Sequence, residues 1–321
     1  MTHVLVAPDS MGGWLSAVDY CQLAKRELLA HGSVEVAVHP LADGGEGTAQ
    51  VLRHHLKART LRHRVTGPLG DLRDVEALSL PGCIFLESAQ AIGLPAGHGS
   101  GDPARASSGA LGEWMRLHPD APLVIGLGGS STVDGGIGLL RTLGVDVVSA
   151  SGEPVQSGAL GLLDAARVEG SLQFSSEVQV WCDIRSPVSE CVERFGPQKG
   201  LKSSMLAPVT EAMTRWAEVL VSYSQSRGRG GLTPSVQGGG AAGGVGLALA
   251  AALGAELCPG FDAIASRTGL AEKLERASWV ICGEGRLDEG SFDGKPLGEI
   301  TRLARRHQCG VIAVVGRADD V

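Results

Sequence analysis

Five strand-length apolar runs in this chain each lead into an acidic residue close to a glycine or a hydroxyl, and this recurrence constrains the fold more than any other feature. The run at 4–7 precedes Asp9 and Ser10, and the run at 34–38 precedes Asp43, Gly44, Gly45 and Glu46. The run at 124–126 opens into Gly128, Gly129, Ser130, Ser131, Thr132 and Asp134. The run at 178–183 ends on Asp183, and 279–283 precedes Glu284, Arg286 and Asp288, with Lys295 shortly behind. Any one of these acids could be a helix cap or an Asp-Gly turn. Five along one edge are hard to explain as caps, because ligands of a doubly wound sheet bind beyond the carboxyl ends of its strands.

Helix-length segments such as 16–30 and 45–56 separate most of these runs, and a sixth run follows at 311–315. The alternation predicts an α/β fold built on a doubly wound, mostly parallel sheet. The stretch 60–87 differs: three short strand-like pieces broken by Gly-Pro and Pro-Gly read as a meander. It is expected to belong to a second, smaller α/β domain inserted over 59–118, with 1–58 and 119–321 forming the core domain. Within the glycine-rich stretch 228–246, the first part reads as a loop. The second part reads as the start of a helix packed closely against a neighbour.

Only 4% of residues are aromatic while 47 are glycine, so the core has to be built from Ala, Val, Leu and Ile in tightly packed βαβ units. The formal net charge of -7 and the lack of a basic block remove the electrostatic footprint for nucleic acid or an anionic membrane. A small-molecule partner is the expectation, with a homodimer as the option for assembly. No signal-like segment or membrane-length apolar run occurs, and the seven scattered cysteines include no CxxC pair, so reduced thiols and a cytoplasmic location are expected. His54-His55 reads as a solvated pair and His39 as a satisfied structural histidine.

Many carboxylates, glycine-lined N–H groups and a few cations match the needs of phosphoryl transfer. That chemistry uses Mg2+ on one or two carboxylates, donors on the transferring oxygens, and a carboxylate to take the acceptor proton. Neither a Walker A spacing nor a GxGxxG after the first strand is present. At the loop 126–136 a strand opening through glycines into a helix predicts free amides that favour a bound phosphate.

The motifs "APDSMGGWLSA" (7–17), "PLADGGEGT" (40–48), "LESAQAIGL" (86–94), "SSGALGEWM" (107–115), "GLGGSSTVDGG" (126–136), "FGPQKG" (195–200), "GGAAGGVG" (239–246) and "GEGRLD" (283–288) resemble, in order, those of bacterial glycerate kinases. That resemblance implies two α/β domains with the active site between them. It also implies ATP-dependent phosphorylation of D-glycerate to 2-phosphoglycerate, or of a similar small hydroxy acid, with Mg2+. Carried over, Asp9, Asp43, Asp183 and Arg286 are the catalytic candidates, with Asp43 and Asp183 as metal ligands. Ser10, Gly44, Gly45, Gly128, Gly129, Ser130, Ser131, Thr132 and Lys199 become nucleotide or phosphate contacts. Glu46, Asp134, Glu284, Asp288 and Lys295 become substrate contacts.

The departures reshape this expectation. Gly12 stands where the resembling sequences carry lysine, Val133 and Ser186 stand where they carry asparagine, and Gly109-Ala110 replaces an aromatic residue followed by glycine. The chain is also shorter at its C-terminal end than those sequences. The alternatives are a related enzyme with another acceptor or transfer, and a catalytically dead homologue that binds ligand.

Overall fold

The computed structural model describes residues 2–94 and 101–319; Met1 and Val321, the outer bounds of the expected core domain, lie outside them. Its strands, in chain order, are β1 (Thr2–Val6), β2 (Val34–Val38), β3 (Arg59–Thr66), β4 (Leu72–Leu80), β5 (Cys83–Glu87) and β6 (Leu123–Leu127). They continue as β7 (Val145–Val148), β8 (Arg167–Gly170), β9 (Val178–Cys182), β10 (Glu256–Pro259), β11 (Trp279–Leu287) and β12 (Gly310–Ala318). The chain divides into two compact units, Met1–Ala58 with Pro259–Val321, and Arg59–Cys258.

The first unit is a parallel sheet in the order β12-β11-β1-β2. Its central strands β1 and β11 carry apolar residues on both faces because helices cover both there, as parallel sheets favour. Leu5, Ala7, Val280 and Cys282 pack with Leu297, Ile300 and Ala304 of the helix Pro296–Arg306. Val4 and Val6 on the other face pack with Cys21 of the helix Ala17–His31. That helix starts where the Ser16 side chain accepts the Asp19 amide at 3.1 Å, a cap of one of its orphan donors.

The second unit holds a six-stranded sheet ordered β10-β9-β6-β5-β4-β3 and a separate hairpin, β7 with β8. The meander is present: β3, β4 and β5 pair antiparallel, after which β5, β6 and β9 run parallel. The core of this unit includes Trp114, Leu139, Met213, Trp216 and the helix Ala241–Leu253, which is buried along almost its whole length.

All six strand-like runs are strands, but they do not form one sheet. Four lie in the first unit as β1, β2, β11 and β12, and two lie in the second as β6 and β9. Residues 119–258, expected with the core domain, instead join 59–118, because β6 forms its ladder with β5 from Ile84↔Leu123 to Glu87↔Gly126. Among the described residues, no helix is long and apolar enough to cross a membrane.

Candidate active site

In the first unit three carboxylates gather where β1, β2 and β11 end or turn outward. Backbone bonds hold their loops in register: Ala7 N donates to Ile281 O at 2.7 Å, Asp9 N to Gly283 O at 2.9 Å, and Leu41 N to Pro8 O at 2.9 Å. Asp9 Oδ1 accepts the Ser10 amide at 2.7 Å and Asp43 Oδ1 the Gly45 amide at 2.9 Å. A Cβ on Gly260 would fall 1.9 Å from the Asp43 carbonyl oxygen, so only glycine lets the helix Gly260–Thr268 start against this loop.

Glu284 is buried, and its Oε1 has no hydrogen-bond partner. Burial is the largest cause lifting the carboxyls of Asp9, Asp43 and Glu284 above the usual range. For Asp9 the Asp43 charge comes next, and Asp9 stands well above its ordinary value. The field of Lys295 opposes the shift at all three. Mutually repelling oxygens short of positive charge suit a hard divalent cation or a proton.

The other candidates of this unit are engaged differently. Arg286 is exposed and its Nε donates to Asp319 at 2.9 Å, with Asp288 at 3.8 Å. Asp288 caps the short turn Glu289–Phe292, exchanging hydrogen bonds with Ser291. Glu46 is exposed, while the Gly44 amide donates to Thr48 Oγ1 at 3.2 Å. His39 Nε2 lies 3.0 Å from Thr268 Oγ1, as a structural histidine should, but its Nδ1 has no partner. His55 is not simply solvated: it lies against His39 with ring centroids 4.1 Å apart, and its Nε2 sits 3.0 Å from Pro40 O.

In the second unit most polar groups of the loop after β6 are bonded within the unit. Gly128 N donates to Ser88 Oγ at 3.3 Å, and the amide and hydroxyl of Ser131 both donate to Ile92 O, at 2.8 and 2.9 Å. Asp134 is fully buried. Its Oδ1 accepts the Gly136 amide at 3.1 Å, and its Oδ2 accepts the Gly138 amide at 3.1 Å and both the amide and hydroxyl of Ser108 at 2.8 Å. Burial lifts its pKa and these bonds oppose the rise. The amides expected to be free for phosphate at the start of the helix Ile137–Thr142 are thus taken by the chain's own carboxylate, and Leu139 N is taken by Ser108 Oγ at 3.0 Å.

Lys199 ends the helix Val188–Lys199 and is also buried. Its Nζ donates to Ser130 Oγ and to Thr132 O, each at 2.9 Å. Burial lowers its pKa, while Cys191, Asp183 and Asp134 favour the charged form. Trp216 Nε1 donates to Gly135 O at 2.9 Å. A Cβ on Gly243 would fall 2.2 Å from Thr132 O, which explains a glycine in the first turn of the helix Ala241–Leu253. Asp183 continues the β6–β9 ladder, its amide donating to Leu127 O at 3.1 Å.

Asp43 and Asp183, both expected as metal ligands, belong to different units. The sequence reading missed Ser88 and Ser108, whose signal was a hydroxyl at the start of a helix inside a motif already singled out. Among the described residues, no three His, Cys, Asp or Glu side chains form a ready metal cage.

A model of the glycerate kinase family matches residues 4–321. The glycerate 2-kinase of Escherichia coli K12 is 33% identical over 336 residues, covering 99% of this chain and 86% of that protein. A glycerate kinase of Halalkalibacterium halodurans is 30% identical over 335 residues, covering 98% and 86%. A crystal structure assigned to glycerate kinase 2 of Salmonella typhimurium LT2 superposes with a TM-score of 0.77 at 32% identity, covering 98% of this chain and 87% of that one.

Proposed function

The chain belongs to the glycerate kinase family, and from that premise we propose that it transfers the terminal phosphoryl group of ATP to D-glycerate, giving 2-phosphoglycerate. The observation that carries the chemical part of this reading is the first unit's set of three carboxylates, all raised by burial, and Asp9 and Glu284 also by neighbouring acids, with one Glu284 oxygen left without a partner.

Hard oxygen donors with an unpartnered buried member fit Mg2+, which commonly takes one or two carboxylates and completes its shell with phosphate and water. Asp43 and Glu284 would hold it. The ion supplies neutralisation of charge on the phosphoryl oxygens. Asp9, the most strongly raised of the three, is assigned to accept the proton of the acceptor hydroxyl, the task a carboxylate with an elevated pKa performs best near neutrality. Lys295 is assigned to the anionic end of the acceptor, because it is the cation facing all three acids.

A cytoplasmic location agrees with seven free cysteines, since a reducing compartment keeps thiols unpaired. The test is a coupled ADP-release assay with Mg2+, ATP and a panel of D-glycerate, L-glycerate, lactate, tartronate and serine. Release that depends on D-glycerate is expected. Release with another acid alone would move the assignment to that acceptor, and none with any would sink the kinase reading.

A further inference from the structure

We propose that Lys199 is a positioning residue that fixes the Ser130 hydroxyl as a hydrogen-bond donor to an anionic oxygen of a substrate, an inference that rests on the kinase reading above. An ammonium group carries three N–H donors and no acceptor. Lys199 Nζ stands 2.9 Å from Ser130 Oγ and 2.9 Å from Thr132 O, so both bonds run from the lysine and Ser130 Oγ is the acceptor. The hydroxyl proton of Ser130 must then point away from Lys199, and among the described residues nothing else accepts it.

Two of the three Lys199 donors are spent on the loop after β6, and the residue is 8% exposed. Lys199 therefore acts through Ser130 rather than by touching phosphate itself. A hydroxyl whose lone pair is held by a buried cation is polarised into a stronger donor, and its best acceptor is an oxygen bearing negative charge. The surrounding loop cannot rotate to satisfy that proton, because Gly128, Ser131 and Asp134 are each bonded in place. Both a phosphoryl oxygen of ATP and the carboxylate of the hydroxy acid have the required chemistry, and titrating each ligand separately distinguishes them.

Binding of ATP and of D-glycerate is measured by calorimetry, and KM and kcat by ADP release, for wild type, Ser130→Ala, Ser130→Thr, Lys199→Met and the double variant. Ser130→Ala is expected to weaken one ligand by about tenfold or more, the scale of one hydrogen bond to a charged group. Ser130→Thr keeps the hydroxyl and should recover most of that loss. Lys199→Met should weaken the same ligand, and adding Ser130→Ala to it should cost nothing further.

Unchanged affinity of Ser130→Ala for both ligands, failure of Ser130→Thr to recover the loss, or losses from the two single variants that multiply would each overturn the proposal. If Lys199→Met does not fold, the alanine and threonine variants of Ser130 decide it alone. Wild type that binds ATP yet releases no ADP with any acceptor would end the kinase reading, while calorimetry would still report on Ser130.

Discussion

The acid cluster of the first unit and the glycine loop of the second present the same signature, a carboxylate beside glycines at the end of a strand, yet they are in opposite physical states. Asp134 receives four hydrogen bonds and is sealed from solvent. Asp9 and Asp43 each receive a local amide, repel one another, and neighbour a Glu284 oxygen that receives nothing. A buried polar group that is fully satisfied stiffens the scaffold. A set left short of partners is where a cation, a proton or a substrate can be bound with gain. The contrast predicts that equivalent substitutions in the two regions fail in different ways.

The largest effect is expected from Asp43→Asn. Removing this carboxylate should lower kcat by about a thousandfold, within the range for loss of a group acting directly on proton or charge transfer. Because it also removes a like charge beside Asp9, thermal stability should hold or rise. ADP release and a melting curve on the same preparation check both halves. A variant that melts several degrees lower would show that Asp43 is scaffold, and the contrast would collapse.

Asp134→Ala is the mirror test. It strands two amides together with the amide and hydroxyl of Ser108 in a sealed interior. The expected loss in urea unfolding is roughly 3 kcal/mol or more, given about 1–3 kcal/mol for each donor left unsatisfied. Protein that remains folded should keep kcat within an order of magnitude. Full stability with lost turnover would return Asp134 to the substrate contacts, where the resemblance had put it.

Much of this was legible in the sequence. The strand runs and the meander follow from apolar runs and turn residues, which are local, and the acids of "ADGGEGT" and "GEGRLD" do gather in one unit. What was not legible is non-local. β1 pairs with β11, more than half the chain away, and no property of either run distinguishes that partner from β6. Nor does composition reveal whether a strand-end acid will face outward or turn back on its own helix. For Asp134 that depended on Ser108, whose amide and hydroxyl arrive from a different segment. The same non-locality hid Lys199, which reads as a phosphate ligand until its two acceptors in the loop are seen.

A smaller effect, confined to the first unit, should come from pH. Burial first, then the positive fields of His55, Lys273 and His54, push His39 down to about 2. Burial, opposed by the bond to Pro40 and helped by His54 and Lys273, pushes His55 down to about 4. The unfolded chain, with histidines near an ordinary value of about 6.5, binds more protons than the folded one below that pH. Stability should therefore be level above the unfolded value and fall as pH drops toward 4. Melting temperatures across this window check the sign. His55→Gln should flatten the slope, and an unchanged slope would assign acid sensitivity to other groups.

The smallest effect tests whether the first region is short of positive charge. Gly12 sits at a φ of +57°, where a side chain costs about 1 kcal/mol or somewhat more. A Cβ there would find its nearest neighbour, Gly285 Cα, at 3.9 Å, so the penalty is conformational rather than steric. Gly12→Lys should accordingly lower the melting point slightly. Gly285 follows Glu284 directly, so the new ammonium starts beside the acid cluster, and kcat/KM for ATP should rise several-fold if that cluster lacks cations. A loss of stability with no gain in kcat/KM would mean that Lys295, together with bound metal, already balances Asp9, Asp43 and Glu284. The two regions would then differ in hydrogen bonding but not in charge.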